Sequence, residues 1–555
     1  MLHTYYDVDH DAIIVGGGFG GLYMLHRLRD LLKLDVRLLE KGGGIGGVWY
    51  WNNYPGARCD TESWVYNYSF DRELQDEWRW SERYPGQSEV LAYLNHFAKR
   101  YDLMRSISLD TTVASVHFEE ERCRWHISTG DGRHLTCRFL VTALGVLSAT
   151  NLPTIPGIEK FEGDIYHTGA FPKDAQLEGR RIGVFGTGSS GVQTITAVAS
   201  IAKHLTVFQR TPQYCVPAKN GPISEEQFRE IRARRDDIYA EMRRTHLAFG
   251  WMESSVPALS VSDEERKRIY QEAWDGGGGF QFMFKTFGDI GTDEAANESA
   301  ASFIRSKIVE IVDDPDTAQA LTPTGLYAKR PICVDGYYAV FNRSNVTLVD
   351  IKANPVADMT AHSVRTTDGK SHEIDTLILA TGFDGVDGSY LRLDLRGRGG
   401  IRVKDYWSDG PLSFLGMTTR GFPNLFMILG PNGPFTNLVP SIEKQVEWIA
   451  RAIAVVKELP EPVIEASAQA QQDWMELCHE EASQSLFQKI DNWFFGANIP
   501  GKPIATMYYF GGFSNYCDII ERVECENYAG FELGLDRDVR PYSPGQLFRA
   551  QAQNI

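Results

Sequence analysis

The chain has 555 residues, too many for one ordinary hydrophobic core, so two or three domains are expected. Its composition, 43% hydrophobic and 23% charged, is that of a globular protein. Its 56 basic against 73 acidic side chains give a net charge of -17, which argues against a general nucleic-acid or anionic-membrane partner.

In chain order, Met1-Leu2-His3-Thr4 starts no basic stretch leading into an apolar core, and no apolar run reaches bilayer length. No secretory leader and no membrane span are expected, and a cytoplasmic location is. Ala12-Ile13-Ile14-Val15 reads as a buried parallel strand. Gly16-x-Gly18-x-x-Gly21 follows, and Leu22, Leu25, Leu28 and Leu32 then recur at helical spacing. Glycines suit this turn because it is tight, because a pyrophosphate must approach bare backbone, and because the helix packs close to the strand. A second strand, Val36 to Leu39, ends in Glu40, 24 residues after Gly16, where a carboxylate can accept hydrogen bonds from ribose hydroxyls. Phe139 to Gly145 reads as another strand running into a turn.

The pattern then repeats. Arg181 to Phe185 is a strand, Gly186-x-Gly188-x-x-Gly191 opens a helix, and Leu205 to Phe208 ends in Gln209-Arg210-Thr211 with no carboxylate. A guanidinium and a hydroxyl at that tip suit a 2′-phosphate. The first turn is therefore expected to take FAD and the second NADP(H). Residues 222–325 look charged and helical, as in Glu225 to Arg244, and Gly276 to Gly279 reads as a flexible turn because no strand precedes it. Thr376 to Ala380 leads into Thr381-Gly382-Phe383-Asp384 and pairs in role with Phe139 to Gly145 as a crossing point between domains. Ile442, Val446, Ile449, Ile453 and Val456 form an apolar helical stripe.

The expected fold is α/β, with two dinucleotide-binding Rossmann-like domains, the NADP domain inserted in the FAD domain, and a helical elaboration. The expected segments are 1–142 (FAD), 143–221 (NADP), 222–328 (helical insertion), 329–380 (NADP, return) and 381–555 (FAD, second part). Two such sites imply hydride transfer from NADPH to FAD. The eight cysteines are scattered with no C-x-x-C pair, which argues against a disulfide reductase and for free thiols in a reducing compartment.

Gly46-Gly47-Val48-Trp49, Tyr54-Pro55-Gly56 and Asp60 form a pattern that resembles Baeyer–Villiger monooxygenases. So do Phe161-x-Gly163-x-x-x-His167-x-x-x-Phe171-Pro172, Lys329-Arg330-Pro331, the run from Gly430 to Asn437 and the run from Asn492 to Lys502. Their likeness is greatest to the cyclohexanone-monooxygenase subgroup and extends from the first glycine turn to about residue 530. The resemblance implies oxidation of a ketone, cyclic by preference, to an ester or lactone, with NADPH and molecular oxygen and through a peroxide on flavin carbon 4a. Arg330 matches the family's catalytic arginine, and a guanidinium holds negative charge without giving up a proton. Asp60 matches its active-site aspartate and is placed to anchor Arg330.

Gly16, Gly18, Gly21 and Glu40 are expected to contact FAD, and the resemblance adds Val48, Trp49, Asp60, Tyr66 and Val113. Thr187, Gly188, Ser189, Ser190, Gly191, Gln193, Arg210, Thr211, Lys329, Arg330 and Trp493 are expected to contact NADP. Trp493 lies in a segment, about 487–503, that resembles a mobile control loop. His167 reads as a structural or hinge residue, and Leu144, Phe435 and Leu438 as pocket walls; no metal is expected. One residue departs from the family: Phe171 stands where tryptophan is usual, as in monooxygenases that oxidise nitrogen or sulfur. Heteroatom oxidation is thus the nearest alternative, and a nucleotide-binding redox sensor an alternative of another class.

Overall fold

The computed structural model describes residues 8–534, 538–539 and 543–548. Met1-Leu2-His3-Thr4 and the outer limits of the segments 1–142 and 381–555 lie outside them. Each glycine turn follows a strand in the interior of its own sheet. The first sheet runs Asp394–Arg396, Val113–Glu119, Arg124–Thr129, His134–Thr142, His10–Val15, Val36–Leu39, Ile107–Ser108, with Leu425–Met427 added beside His134–Thr142. His10–Val15 is parallel to both neighbours, Ile14 lying opposite Leu38 on one side and Val141 on the other. Ala12, Ile13 and Ile14 are wholly buried, which explains why this strand is an unbroken apolar run.

The stretch before Thr142 differs from expectation. Val113–Glu119, Arg124–Thr129 and His134–Thr142 form an antiparallel meander, of which the apolar run from Phe139 revealed only the last part. Along Arg124–Thr129 the buried residues are Trp125, Ile127 and Thr129, alternating with arginine, histidine and serine. One face is covered and the other is not, so no continuous apolar signal exists there.

The second sheet is parallel throughout, in the order Val346–Asp350, His204–Gln209, Arg181–Phe185, Thr376–Leu379, Asp164–His167. Between its third and fourth strands in sequence lie the helices Glu225–Ala233, Arg235–Arg244, Asp263–Gly276, Gly279–Phe284, Glu294–Ile311 and Pro315–Leu321. Gly277, with φ of 72°, makes the turn between two of these helices, and the glycine run serves as a connector. The helix after the first glycine turn is less regular than its leucine spacing suggests. An α-helix, Phe19–Leu25, passes into a π-helical turn, His26–Leu31, and the Leu32 N–H bonds back five residues to Arg27. The wider turn accommodates His26, whose ring centroid lies 4.1 Å from that of Tyr101 and whose Nδ1 lies 2.9 Å from Asp30.

The two crossings between sheets run side by side. Asn151 N–H donates to Gly382 O at 2.9 Å, Asp384 N–H to Ala149 O at 2.8 Å, and Thr381 Oγ1 to Asn151 O at 2.6 Å. His167, at the end of its strand, faces this junction, with Nε2 3.4 Å from Thr381 Oγ1 and Nδ1 accepting from Gly169 N–H at 2.9 Å. Burial lowers its pKa, so it is a neutral packing residue here. Among the described residues no helix is long and apolar enough to cross a membrane.

The helix Leu438–Val456 buries its stripe of Ile442, Val446, Ile449, Ile453 and Val456 beneath the first sheet's helix. It also buries a carboxylate. Glu443 Oε1 accepts N–H bonds from Ser69 at 2.6 Å and Phe70 at 3.2 Å, and Oε2 accepts the Ser69 hydroxyl at 2.7 Å. Burial outweighs these bonds and pushes its pKa from 4.5 up to about 7. A carboxyl group with a raised folded pKa binds its proton more tightly when native, so stability falls as pH rises through that interval. Glu443→Gln retains all three contacts, because the amide oxygen accepts both N–H groups and the amide nitrogen donates to Ser69 Oγ. Its melting temperature relative to the parent should therefore climb by a few degrees between about pH 5 and about pH 8. A difference that does not change with pH would rule out an ionised, desolvated Glu443.

Candidate active site

The two glycine turns are built alike. Gly16 has φ of 109° and a Cβ there would lie 2.3 Å from Ala143 O; Gly186 has φ of 104° and its Cβ would lie 2.4 Å from Ala380 O. Side chains are excluded at both by the neighbouring strand. The middle glycine is different. A Cβ at Gly188 would meet no protein atom within 4 Å, so the protein itself does not require glycine there. Open backbone at the uncapped start of the helix Ser189–Val198 is what an approaching pyrophosphate needs. The helix beginning at Phe19 likewise starts without a side-chain cap. Both turns therefore fit a dinucleotide.

The two strand tips carry different side chains. Glu40 is buried, with Oε2 accepting Gly17 N–H and Oε1 accepting Gly42 N–H, each at 2.7 Å. These bonds aim the carboxylate and leave each oxygen a further lone pair for a hydroxyl. Thr111 N–H donates to Glu40 O at 2.8 Å, which brings Val113, half-buried at the start of its strand, to the same edge. Trp49 Nε1 donates to Tyr66 Oη at 3.2 Å, and both rings are buried, whereas Val48 is open to solvent.

At the second tip Arg210 is exposed, and Thr211 O accepts the Thr187 hydroxyl at 3.0 Å, tying the tip to the glycine turn. Lys329 comes from far along the chain to the same place. Burial lowers its pKa, Asp491 opposes that, and the like charge of Arg210 lowers it again. Two cations gathered against their mutual repulsion are able to pair with a dianion.

Between the two turns lies the segment from Tyr54 to Asp60. Tyr54 Oη donates to Gln193 Oε1 at 2.8 Å, Gln193 Nε2 donates to Arg58 O at 3.2 Å, and a Cβ at Gly56 would lie 2.6 Å from Gln193 O. Gln193, expected as a nucleotide contact, here joins the second sheet's helix to this segment through both ends of its amide. On the other side Cys59 N–H donates to Pro85 O and Gln87 N–H to Ala57 O, each at 2.9 Å. Asp60 is thus held from both flanks.

Arg330 meets Asp60 in a two-pronged ion pair, Nη1 to Oδ2 and Nη2 to Oδ1, the latter at 2.9 Å. The side chains are 31% and 18% exposed, enough to be reached and dry enough for the charge to act strongly. Desolvation works against the guanidinium charge, but Asp60 outweighs it and holds the pKa above its ordinary value. Arg330 is placed by the strand pair Ile332–Cys333 and Cys215–Val216, and by wholly buried Asn297, which bonds both Tyr327 O at 2.8 Å and Tyr327 N–H at 2.9 Å.

Several neighbours were not foreseen from sequence. Phe280 lies with its ring centroid 5.3 Å from the Arg330 guanidinium carbon, and Phe249 packs on Phe280 at 4.6 Å. Both come from the helical region, where no local pattern marks one phenylalanine above another. Of the three residues expected as pocket walls, Phe435 and Leu438 join the cluster containing Phe494, Tyr508 and Trp493, while Leu144 packs in a separate cluster with Tyr390 and Leu425. Phe171 is buried, 5.2 Å from Tyr166 between ring centroids, and its N–H donates to Trp51 O at 3.3 Å.

The model of the flavin-binding monooxygenase-like family matches residues 10–219. The chain is 51% identical over 520 residues to a Baeyer–Villiger monooxygenase of Pseudooceanicola batsensis, covering 94% of this chain and 95% of the relative. It is 49% identical to the phenazine N-monooxygenase PhzNO1 of Lysobacter antibioticus, over 95% of this chain and 97% of that one. Its fold superposes with a TM-score of 0.94 on cyclohexanone monooxygenase from Rhodococcus sp. Phi1 bound to NADP+, at 51% identity, over 95% of this chain and 99% of that one. With half its residues shared along almost its whole length, and two dinucleotide turns, this chain binds FAD and NADP(H) and belongs to the Baeyer–Villiger monooxygenase family.

Proposed function

We propose that the protein converts a cyclic ketone into a lactone, with Arg330 as the residue that holds the developing negative charge and Asp60 as its anchor. The ketone, dioxygen, NADPH and a proton yield the lactone, NADP+ and water. Bound FAD supplies the hydride acceptor and delivers one oxygen atom. The protein's own contribution is position and charge. Glu40 receives a ribose without a phosphate, while Arg210, Thr211 and Lys329 receive one that carries it. Arg330, fixed by two parallel bonds to Asp60, keeps its positive charge throughout and so stabilises an oxyanion at the carbonyl carbon without giving up a proton. The bidentate pair is the observation that carries this reading. The proposed domain division keeps the boundaries 142, 221, 328 and 380, and the support for it is that the second sheet draws its strands from residues 164 to 379 and that Asp394–Arg396 and Leu425–Met427 return to the first.

One observation favours a second reading. Phe171 occupies the linker position at which heteroatom oxidisers carry phenylalanine, and the similarity to an N-monooxygenase is nearly as high. Incubation with NADPH, air and equal amounts of cyclohexanone and a thioether separates the two. Lactone as a principal product supports ketone oxidation; sulfoxide with no lactone replaces it by the second reading.

Arg330→Ala should lower lactone formation by roughly 100- to 1000-fold, the usual loss when a charge-stabilising donor is removed, while FAD content stays at one per chain. Wild-type product yield from that variant would refute the role given to the guanidinium. Arg210→Ala should raise the KM for NADPH by about 10- to 100-fold, as expected for a lost charge-assisted bond, and leave that for NADH nearly unchanged. Equal changes for both nucleotides would remove the phosphate assignment.

A further inference from the structure

The segment 490–503 is fastened to the body of the protein by a charge cluster that the ketone chemistry does not use. Lys502 is buried, 7% exposed, and its ammonium pairs with both Asp384 and Asp387, which are 15% and 3% exposed. Both aspartates belong to the crossing that follows the strand Thr376–Leu379. Asn498 adds a second fastening, its Nδ2 donating to Phe383 O at 2.9 Å.

Between the two aspartates the backbone is shaped for what it holds. A Cβ at Gly385 would lie 2.8 Å from Trp493 Cε3, so the indole rests against bare backbone there. Val386 has φ of 66°, a left-handed conformation that a β-branched residue adopts only when its surroundings impose it. Its N–H is held by Val146 O at 2.8 Å, on the other crossing. Two carboxylates three residues apart share one ammonium, and burial raises the Asp387 pKa while Lys502 pulls it down. Removing the ammonium would leave two desolvated acids facing each other and a strained turn with nothing to hold it.

We propose that Lys502 is a positioning residue for the nicotinamide dinucleotide: by clasping Asp384 and Asp387 it holds Trp493 against Gly385 and keeps segment 490–503 closed over the bound nucleotide. This rests on the reading of Trp493 as a nucleotide contact. Because Asp384 and Val386 are bonded to Ala149 and Val146, closure also registers the alignment of the two crossings. A shift between the sheets therefore loosens the clasp, and loss of the clasp frees the segment.

The test uses the FAD-loaded full chain and its variants Lys502→Met, Lys502→Arg, Gly385→Ala and Trp493→Ala. NADP+ affinity is read by titration of flavin absorbance, and opening by hydrogen–deuterium exchange of peptides covering 490–503. Lys502→Met should weaken NADP+ by at least about tenfold and speed exchange in that segment, with FAD content retained and a lowered melting temperature. Lys502→Arg should restore most of the affinity, and Gly385→Ala should reproduce the defect by displacing the indole. Unchanged NADP+ affinity in Lys502→Met, with a clear loss in Trp493→Ala, overturns the clasp and leaves the Trp493 reading standing. Unchanged affinity in Trp493→Ala removes that reading instead, and wild-type exchange in Lys502→Met then overturns the clasp as well. Loss of FAD along with NADP+ affinity in Lys502→Met would mark general unfolding and also overturn it.

Discussion

Asp60 and Arg330 are separated by 270 positions in the chain and meet through two parallel hydrogen bonds. A guanidinium taken largely out of water needs a counter-charge, and a counter-charge in turn needs rigid support. Much of the architecture around the site supplies that support. The Tyr54–Asp60 stretch is pinned to the second sheet's helix through Gln193 and to Pro85 on its other flank. The Arg330 loop is pinned by Asn297 and by a short parallel strand pair. Each half of the ion pair is set by a different part of the fold, so the pair reports whether those parts are correctly assembled.

The two nucleotide turns show how one local solution serves two ligands. Close contact with a neighbouring carbonyl explains Gly16 and Gly186, and open space explains Gly188. What differs is the tip of the second strand. Glu40 is locked by two backbone N–H groups into a hydroxyl-accepting pose, whereas Arg210 and Lys329 concentrate positive charge. The two tips therefore differ in charge, one carrying a carboxylate and the other two cations.

The junction of the two crossings concentrates the remaining unusual features. His167, Thr381, Phe383, Val386 and the Asp384–Asp387–Lys502 cluster lie together there, although they come from three distant stretches of chain. The linker motif around His167 acts here by packing: its histidine is neutral, and Gly169 lies so close to Phe383 that a Cβ would come within 2.7 Å of the ring. Phe171 fits this account, since a buried apolar ring meets the need without an indole N–H.

The amino-acid sequence alone determined whatever depends on neighbours along the chain. Strand, glycine turn, helix and strand tip lie within some 25 residues of each other, so both strand–turn–helix units and the different side chains at their tips could be read directly. The meander from Val113 to Thr142 was only partly legible, because a sheet covered on one face has no continuous apolar run. The leucines after Gly21 did not reveal the π-helical turn either, since that depends on how His26 packs against Tyr101. The positions of Phe280, Asn297, Gln193 and Lys502 were decided by tertiary structure alone. Their partners lie roughly 30 to 140 residues away in sequence, and a contact across that distance leaves no spacing in the chain by which it could be recognised.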